Sequence, residues 1–150
     1  MKDGKIMLVA SQGGHWVQLI RLLPAFTEKE LVLISTFDEK PVLDCQSLEY
    51  LSVCDASRWS KFKMLKQLIQ VFYLVIIHRP RFILTTGASI GVWAIVFGKM
   101  IGAKTIWLDS IANYRDISIS GKLVKRISDI HLTQWKHLTD DITLFKGSVL

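Results

Sequence analysis

Val9-Ala10-Ser11-Gln12-Gly13-Gly14-His15-Trp16 is the stretch from which the rest of the chain is read. Lys5 to Ala10 is a short apolar run, as a buried parallel strand requires. Ser11 to Gly14 is a turn. From Trp16 to Leu23, apolar residues recur at helical spacing (Trp16, Leu19, Ile20, Leu23). The stretch therefore reads as a strand, a glycine turn and a helix with a histidine in its first turn. Two adjacent glycines let an anionic group approach backbone N–H groups, and the helix dipole favours its charge. The turn is not a dinucleotide fingerprint, which needs spaced glycines and a downstream acidic residue. It also lacks the Lys-Ser or Lys-Thr pair of a P-loop. Taken alone, it fits a plain strand-to-helix connection equally well.

Outward from this stretch, strands and helices alternate. Glu30–Thr36 and Leu48–Val53 read as strands, separated by a polar loop, Phe37–Ser47, that contains Pro41. Ser60–His78 is a long helix stopped by Pro80. Arg81–Thr86 is a strand leading into the small-residue turn Gly87-Ala88-Ser89, and Ile90–Ile101 is a nearly all-apolar helix. Gly91 and Gly98 share one face of it, where a neighbouring backbone could come close. Lys104–Leu108 is a strand ending in Asp109-Ser110, followed by the loop Ile111–Ser120. Ser120 is expected to cap a short helix, Gly121–Ile127. Asp129–Gln134 is a strand, and the tail Ile142–Leu150 is an extra strand or a docking segment.

This alternation implies an α/β fold, a parallel sheet with helices on both faces, in one domain over residues 1–150. Ligands of such sheets sit outside the carboxyl ends of the strands. Three polar elements fall there: Ser11–His15, Thr86–Ser89 and Asp109–Arg115.

Charge is unevenly distributed. The chain nets +6, yet Ala56 to Leu108 contains no Asp or Glu and eight basic residues. A basic middle third suits phospholipid headgroups, a lipid diphosphate or nucleic acid, and equally a plain solvated face. In the long helix, Phe62, Leu65, Ile69, Phe72 and Ile76 form one apolar stripe, with Lys61, Lys63, Lys66, Gln67 and Gln70 on other faces. Core packing and a helix resting in a membrane interface both account for it. Mean hydropathy is high, at +0.31, but no apolar run reaches the ~18 residues of a membrane span. The run Ile6–Ala10 is too short for a signal peptide, so a cytoplasmic protein is expected. Cys45 and Cys54 read as reduced thiols, and the four histidines show no metal-ligand spacing, so no metal is expected.

Gly13-Gly14-His15, Thr85-Thr86-Gly87-Ala88, Ile106-Trp107-Leu108-Asp109-Ser110, Leu123 to Asp129 and Gln134-Trp135 recur in order at spacing that resembles a known family. This is the acceptor-binding, membrane-anchoring subunit of bipartite GT-B glycosyltransferases. Its branches serve dolichol-diphosphate N-acetylglucosamine transfer and bacterial capsule or exopolysaccharide assembly. The order is also similar to the N-terminal half of MurG. The resemblance implies a Rossmann-like N-terminal half of a GT-B enzyme that binds a polyprenyl-diphosphate-linked sugar. A second chain would bind the nucleotide sugar, a UDP-sugar by expectation, so this chain binds no cofactor itself. Family members often carry Glu where this chain has Asp109. The eukaryotic members also carry an N-terminal membrane helix, for which this sequence shows no counterpart, so peripheral contact with the cytoplasmic face of an anionic membrane is assigned to Arg58, Trp59, Lys61, Lys63, Lys66, Phe72 and Tyr73.

Inverting transfer needs a base on the acceptor hydroxyl and no covalent nucleophile. His15 is the candidate base, since the helix dipole favours neutral imidazole there; hydrogen bonding to a phosphate or sugar and simple capping are its other roles. Asp109 orients the acceptor, shares the proton work, or merely bonds nearby backbone. Ser11, Gly13, Gly14, Thr86, Gly87, Ser89 and Ser110 are expected along the acceptor cleft. Asn113 and Arg115 reach acceptor phosphate, the partner or solvent, and Trp135 stacks on a sugar, packs at the domain junction or is buried in the core. Two other classes compete: a non-catalytic membrane anchor for the donor subunit, and a basic nucleic-acid-binding domain. The second is disfavoured because the basic residues lie among apolar stretches, without an exposed aromatic platform.

Overall fold

The computed structural model describes residues 4–26, 28–38, 47–56 and 60–149. Among them, seven strands form one sheet: β1 (Ile6–Ala10), β2 (Leu31–Ser35), β3 (Leu48–Ser52), β4 (Phe82–Thr85), β5 (Lys104–Leu108), β6 (Ile130–Thr133) and β7 (Thr143–Phe145). Their spatial order is β3-β2-β1-β4-β5-β6-β7, and every adjacent pair is parallel. The helices are α1 (Gly14–Leu22), α2 (Lys61–His78), α3 (Ala88–Met100) and α4 (Ile119–Val124). The tail does form a strand, β7, at the edge beyond β6.

Alternation along the strands builds a core on each face of the sheet, beside a smaller cluster of Ile95, Trp107 and Val124. Leu8, Ala10, Leu31 and Leu33 face α1, through Leu19 and Leu23. Met7, Val9, Val32, Ile34 and Ile83 face α2 and α3, through Val71, Val75, Ile90 and Ala94. Buried on both faces, these strands are near-continuously apolar. The chain runs outward from β1 to β3, and α2 then carries it back across to β4 on the other side of β1. The order reverses between β1 and β4, and a crevice opens above their carboxyl ends.

The apolar stripe of α2 points away from the sheet. Phe62 is 88% exposed, and Leu65, Ile69, Phe72 and Ile76 are also open to solvent. The buried side is Gln67, Val71 and Val75. Gln67, grouped by sequence with the polar faces, is thus a core residue. It is satisfied there because its Nε2 donates to the Cys54 carbonyl at 2.9 Å and its Oε1 accepts from Ser89 Oγ at 2.9 Å. Gln70 Oε1 accepts the Cys54 N–H at 2.9 Å, so two glutamines fasten α2 to the segment after β3.

Other boundaries shift for identifiable reasons. α4 starts earlier than Gly121 because Ser118, not Ser120, is its cap, accepting the Gly121 N–H at 2.9 Å. α3 starts at Ala88, directly on the glycine turn. Gly91 and Gly98 admit side chains of β4 and β5 rather than a backbone. A Cβ on Gly91 would lie 2.3 Å from Thr85 Oγ1, and one on Gly98 would lie 2.4 Å from Ile83 Cδ1. Cys54 is a free thiol, and Cys45 lies outside the described residues.

Two titrating groups tie the far side of the sheet together. His131 is buried, with Nε2 on the Gly121 carbonyl and Nδ1 on Thr143 Oγ1, each at 3.1 Å. The carbonyl fixes Nε2 as the N–H, so Nδ1 accepts from the threonine. Burial pushes this imidazole below its ordinary 6.5, opposed by the bond to Gly121. At the head of β6, burial alone would raise the Asp129 carboxyl, but the Lys99 ammonium and the Thr105 N–H and hydroxyl outweigh it and hold it well below 3.8.

Two predictions follow from this packing. Gly91→Ala gains helix propensity but drives a methyl into Thr85, for a net loss of about 1–2 kcal/mol in urea unfolding; an unchanged midpoint would contradict the packing. In the second, the unfolded chain binds more protons than the native one as pH drops below about 6.5 for His131, and again below about 3.8 for Asp129. Both contributions are complete at neutral pH. Unfolding free energy should decline first below about pH 6.5, and His131→Asn should remove that first decline.

Candidate acceptor cleft

A cleft of about 810 Å³ opens at the carboxyl ends of β1, β4 and β5. One side is polar, with His15, Ser89, Ser110, Asn113, Ser118 and Ser120. The rest of the lining is apolar, drawn from α2 (Met64), α3 (Val92, Trp93) and α4 with its approach (Ile117, Ile119, Leu123). Among the described residues, no Lys, Arg, Asp or Glu lines it.

His15 is fixed by the strand next door. Its Nδ1 lies 2.7 Å from the Thr86 carbonyl, while Thr86 Oγ1 donates to the His15 carbonyl at 2.7 Å. A carbonyl only accepts, so Nδ1 carries the hydrogen. Nε2 then holds a lone pair whenever the ring is neutral, and among the described residues no donor takes it. The ring lies against Gly87, where a Cβ would sit 2.6 Å from His15 Cε1. Gly87 also has φ +129°, a backbone shape that side chains avoid.

The next residue, Ala88, has φ +66°, strained for a residue with a Cβ, and it lines the cleft floor. α3 begins there without a side-chain cap or an acidic residue in its first turn, and so does α1 beside it. Both helix N-termini leave backbone donors at the crevice.

Asp109 takes the last of the roles its sequence allows, bonding nearby groups. It is 1% exposed and does not line the cleft. Oδ1 accepts from Trp107 Nε1 (3.2 Å) and Ser118 Oγ (2.5 Å); Oδ2 accepts from Asn113 Nδ2 (3.2 Å) and the Ser118 N–H (2.9 Å). Its lone pairs are spent on folding the loop from 109 to 118 back over β5. It sets the positions of Asn113 and Ser118, which do line the cleft.

Of the other sequence candidates, Ser89, Ser110 and Asn113 line the cleft, and Thr86 and Gly87 lie beneath His15. Ser11, Gly13 and Gly14 stand outside the lining. The turn leans toward β2 and the segment after β3, where the Gln12 N–H donates to Thr36 Oγ1 and its side chain to Asp55. Arg115 is exposed outside the cleft. Trp135 is also outside it, its Nε1 donating to the Ile111 carbonyl at 2.8 Å with its ring edge-on to Tyr114. Of the assigned membrane residues, Lys61, Lys63, Lys66, Phe72 and Tyr73 are exposed on α2, and Arg58 and Trp59 lie outside the described residues. Among the described residues no helix is long and apolar enough to cross a membrane.

Sequence reasoning missed the buried amides behind the polar wall. Gln18 Nε2 donates to Ser110 Oγ (2.9 Å) and the Gly14 carbonyl (3.1 Å), and its Oε1 accepts from the Ile111 N–H and Gln134 Nε2. Gln134 also donates to the Asp109 carbonyl and accepts the Val149 N–H. This pair locks α1, the β5 loop, the end of β6 and the tail together. For Gln18 the available signal was a lone Gln within an apolar run; Gln134, between Thr133 and Trp135, had no such signal. The apolar wall had no signal beyond its own hydrophobicity.

Residues 51–147 match the model of the family described as "Oligosaccharide biosynthesis protein Alg14 like". The chain belongs to the Alg14-like family. Relatives include the UDP-N-acetylglucosamine transferase subunit ALG14 of Mus musculus, 25% identical over 91% of this chain and 77% of the relative. The Rattus norvegicus protein of the same name is also 25% identical, over 90% of this chain and 77% of the relative. The backbone superposes on Acinetobacter baumannii MurG with TM-score 0.73 at 10% identity, over 95% of this chain and 45% of that one. It superposes on the Staphylococcus aureus MnaA–UDP structure with TM-score 0.71 at 13% identity, over 97% and 45%. This family member thus has a Rossmann-like fold shared with MurG, and it spans under half the length of those structures.

Asp109→Asn places an NH₂ against donors and should cost about 1–3 kcal/mol of stability. Urea unfolding checks it. A carboxylate serving chemistry alone would leave stability intact.

Proposed function

We propose that this chain is the acceptor-binding subunit of a two-chain inverting glycosyltransferase, peripheral on the cytoplasmic face of a membrane. The cleft holds a polyprenyl-diphosphate-linked sugar. Its diphosphate lies toward the uncapped N-termini of α1 and α3, and the start of the lipid lies along the apolar wall of Met64, Trp93 and Leu123. A second chain carries the nucleotide sugar and closes over the carboxyl edge of the sheet. The relatives' names point to UDP-N-acetylglucosamine as that donor. The bacterial branch of the resemblance points to capsule or exopolysaccharide assembly as the setting.

The observation that carries the reading is His15. Its Nδ1–H is committed to Thr86, and among the described residues no donor takes its Nε2 and no Lys, Arg, Asp or Glu lines the cleft. A ring so held accepts the proton of the acceptor hydroxyl as that oxygen attacks the anomeric carbon of the donor sugar, and the nucleotide diphosphate leaves on the partner. Thr86 keeps the tautomer through the step. Neither Asp109 nor a nucleophilic Ser or Cys is needed.

His15→Ala and His15→Gln, assayed in the complex reconstituted with the donor chain, test this. Both should lower kcat by about 10²-fold or more, as for loss of a general base, with the fold intact by circular dichroism. Glutamine retains a hydrogen bond but cannot take the proton, so full activity in His15→Gln would leave only a binding role. Full activity in both variants would favour the second reading, a non-catalytic anchor, which the outward apolar stripe of α2 supports independently.

A further inference from the structure

The end of α2 farthest from the cleft carries a feature that sugar transfer does not use. A pocket of about 410 Å³ lies at the amino-terminal edge of the sheet, between the carboxyl ends of α2 and α3. Arg79 and Arg81 line it, with Ile76, Pro80 and Ile101 among its apolar walls. Both arginines are exposed, and among the described residues neither guanidinium has a hydrogen-bond or ion-pair partner. Arg81 lies 5.6 Å over the ring of Phe82. Close in sequence to these residues, Tyr73, Ile77, Phe82 and Met100 are all exposed.

Arg79 also sits where the backbone favours another residue. It ends α2 in the left-handed conformation, with φ 42° and ψ 57°. Glycine is the usual occupant of such a helix end. The last turn is closed by the Arg79 backbone N–H on the Val75 carbonyl, so the side chain is not needed as a cap.

We propose that this pocket binds the phosphate of an anionic phospholipid headgroup. The inference rests on the reading of α2 as the membrane-facing helix. The exposed stripe from Phe62 to Ile76 is bracketed by Lys61, Lys63 and Lys66 at one end and by Arg79 and Arg81 at the other. Cations beside an apolar face strengthen its binding to anionic lipid, and paired guanidiniums suit phosphate oxygens better than ammonium groups do. The apolar rim favours a lipid over free phosphate, because acyl chains cover Ile77 and Met100 while the headgroup meets the arginines.

The test is co-sedimentation of the full chain with phosphatidylcholine vesicles with and without phosphatidylglycerol, alongside calorimetric titration with inorganic phosphate. Arg79→Ala/Arg81→Ala should weaken binding to the anionic vesicles about thirtyfold, from about 1 kcal/mol for each cation at the surface. Arg79→Lys/Arg81→Lys keeps the charge and should still weaken it about fivefold, because the planar fork is lost. Lys136→Ala/Lys146→Ala, on exposed residues away from α2, should change little. Arg79→Gly should retain or raise the melting temperature while losing vesicle affinity. Vesicle binding by wild type that the Lys/Lys variant matches would overturn the headgroup site and leave the membrane reading standing. A wild type that ignores all vesicles would overturn both, and phosphate binding without vesicle binding would overturn the lipid assignment.

Discussion

His15 and Thr86 hold each other twice across the junction of β1 and β4. The two strands are neighbours only because strand order reverses there. One bond fixes the imidazole through its Nδ1–H, and the other fixes the backbone of α1's first turn through the His15 carbonyl. Gly87 makes both possible, since any side chain there would occupy the space of the ring. From this contact follow the tautomer, the direction of Nε2 and the close seating of the first turns of α1 and α3.

Behind that contact, the cleft is held by buried amides and one carboxylate rather than by charges at its surface. Gln18, Gln67, Gln134 and Asp109 are all almost wholly buried, and each spends its hydrogen bonds on a loop or helix that contributes to the lining. Such groups are costly to bury unless satisfied, and when satisfied they fix geometry sharply. The result is a pocket whose polar lining is fixed by these bonds and, among the described residues, carries no Lys, Arg, Asp or Glu. Its lining is also partly apolar, a combination suited to an amphiphile whose charge is met by backbone N–H groups.

Most of the fold was legible because its strands are short apolar runs bounded by glycine, proline or polar residues. The site was legible as topology. His15, Ser89, Ser110 and Asn113 converge because each follows the carboxyl end of a parallel strand. What could not be read was direction. The turn of Ser11, Gly13 and Gly14 is fastened to Thr36 through the Gln12 N–H and is not among the residues that line the cleft, and nothing in its composition says so. Asp109 ends a strand as a ligand-binding carboxylate would, yet Ser118, nine residues on, supplies two of its four donors. α2 is apolar on opposite sides, so its periodicity could not tell the face that packs from the face that does not. Gln67 settled that, by pairing with Ser89 across the groove.

α2 thereby joins two environments, touching the cleft through Met64 while its other side faces outward along the whole helix. The chemistry proposed for the cleft depends on the His15 ring being held as described. Long-range proton–nitrogen NMR of the labelled chain at mildly alkaline pH, with His15 assigned by His15→Gln, tests it most directly. The account requires the proton on Nδ1 and an unprotonated Nε2. A ring protonated on Nε2, or one exchanging between both tautomers, would contradict it.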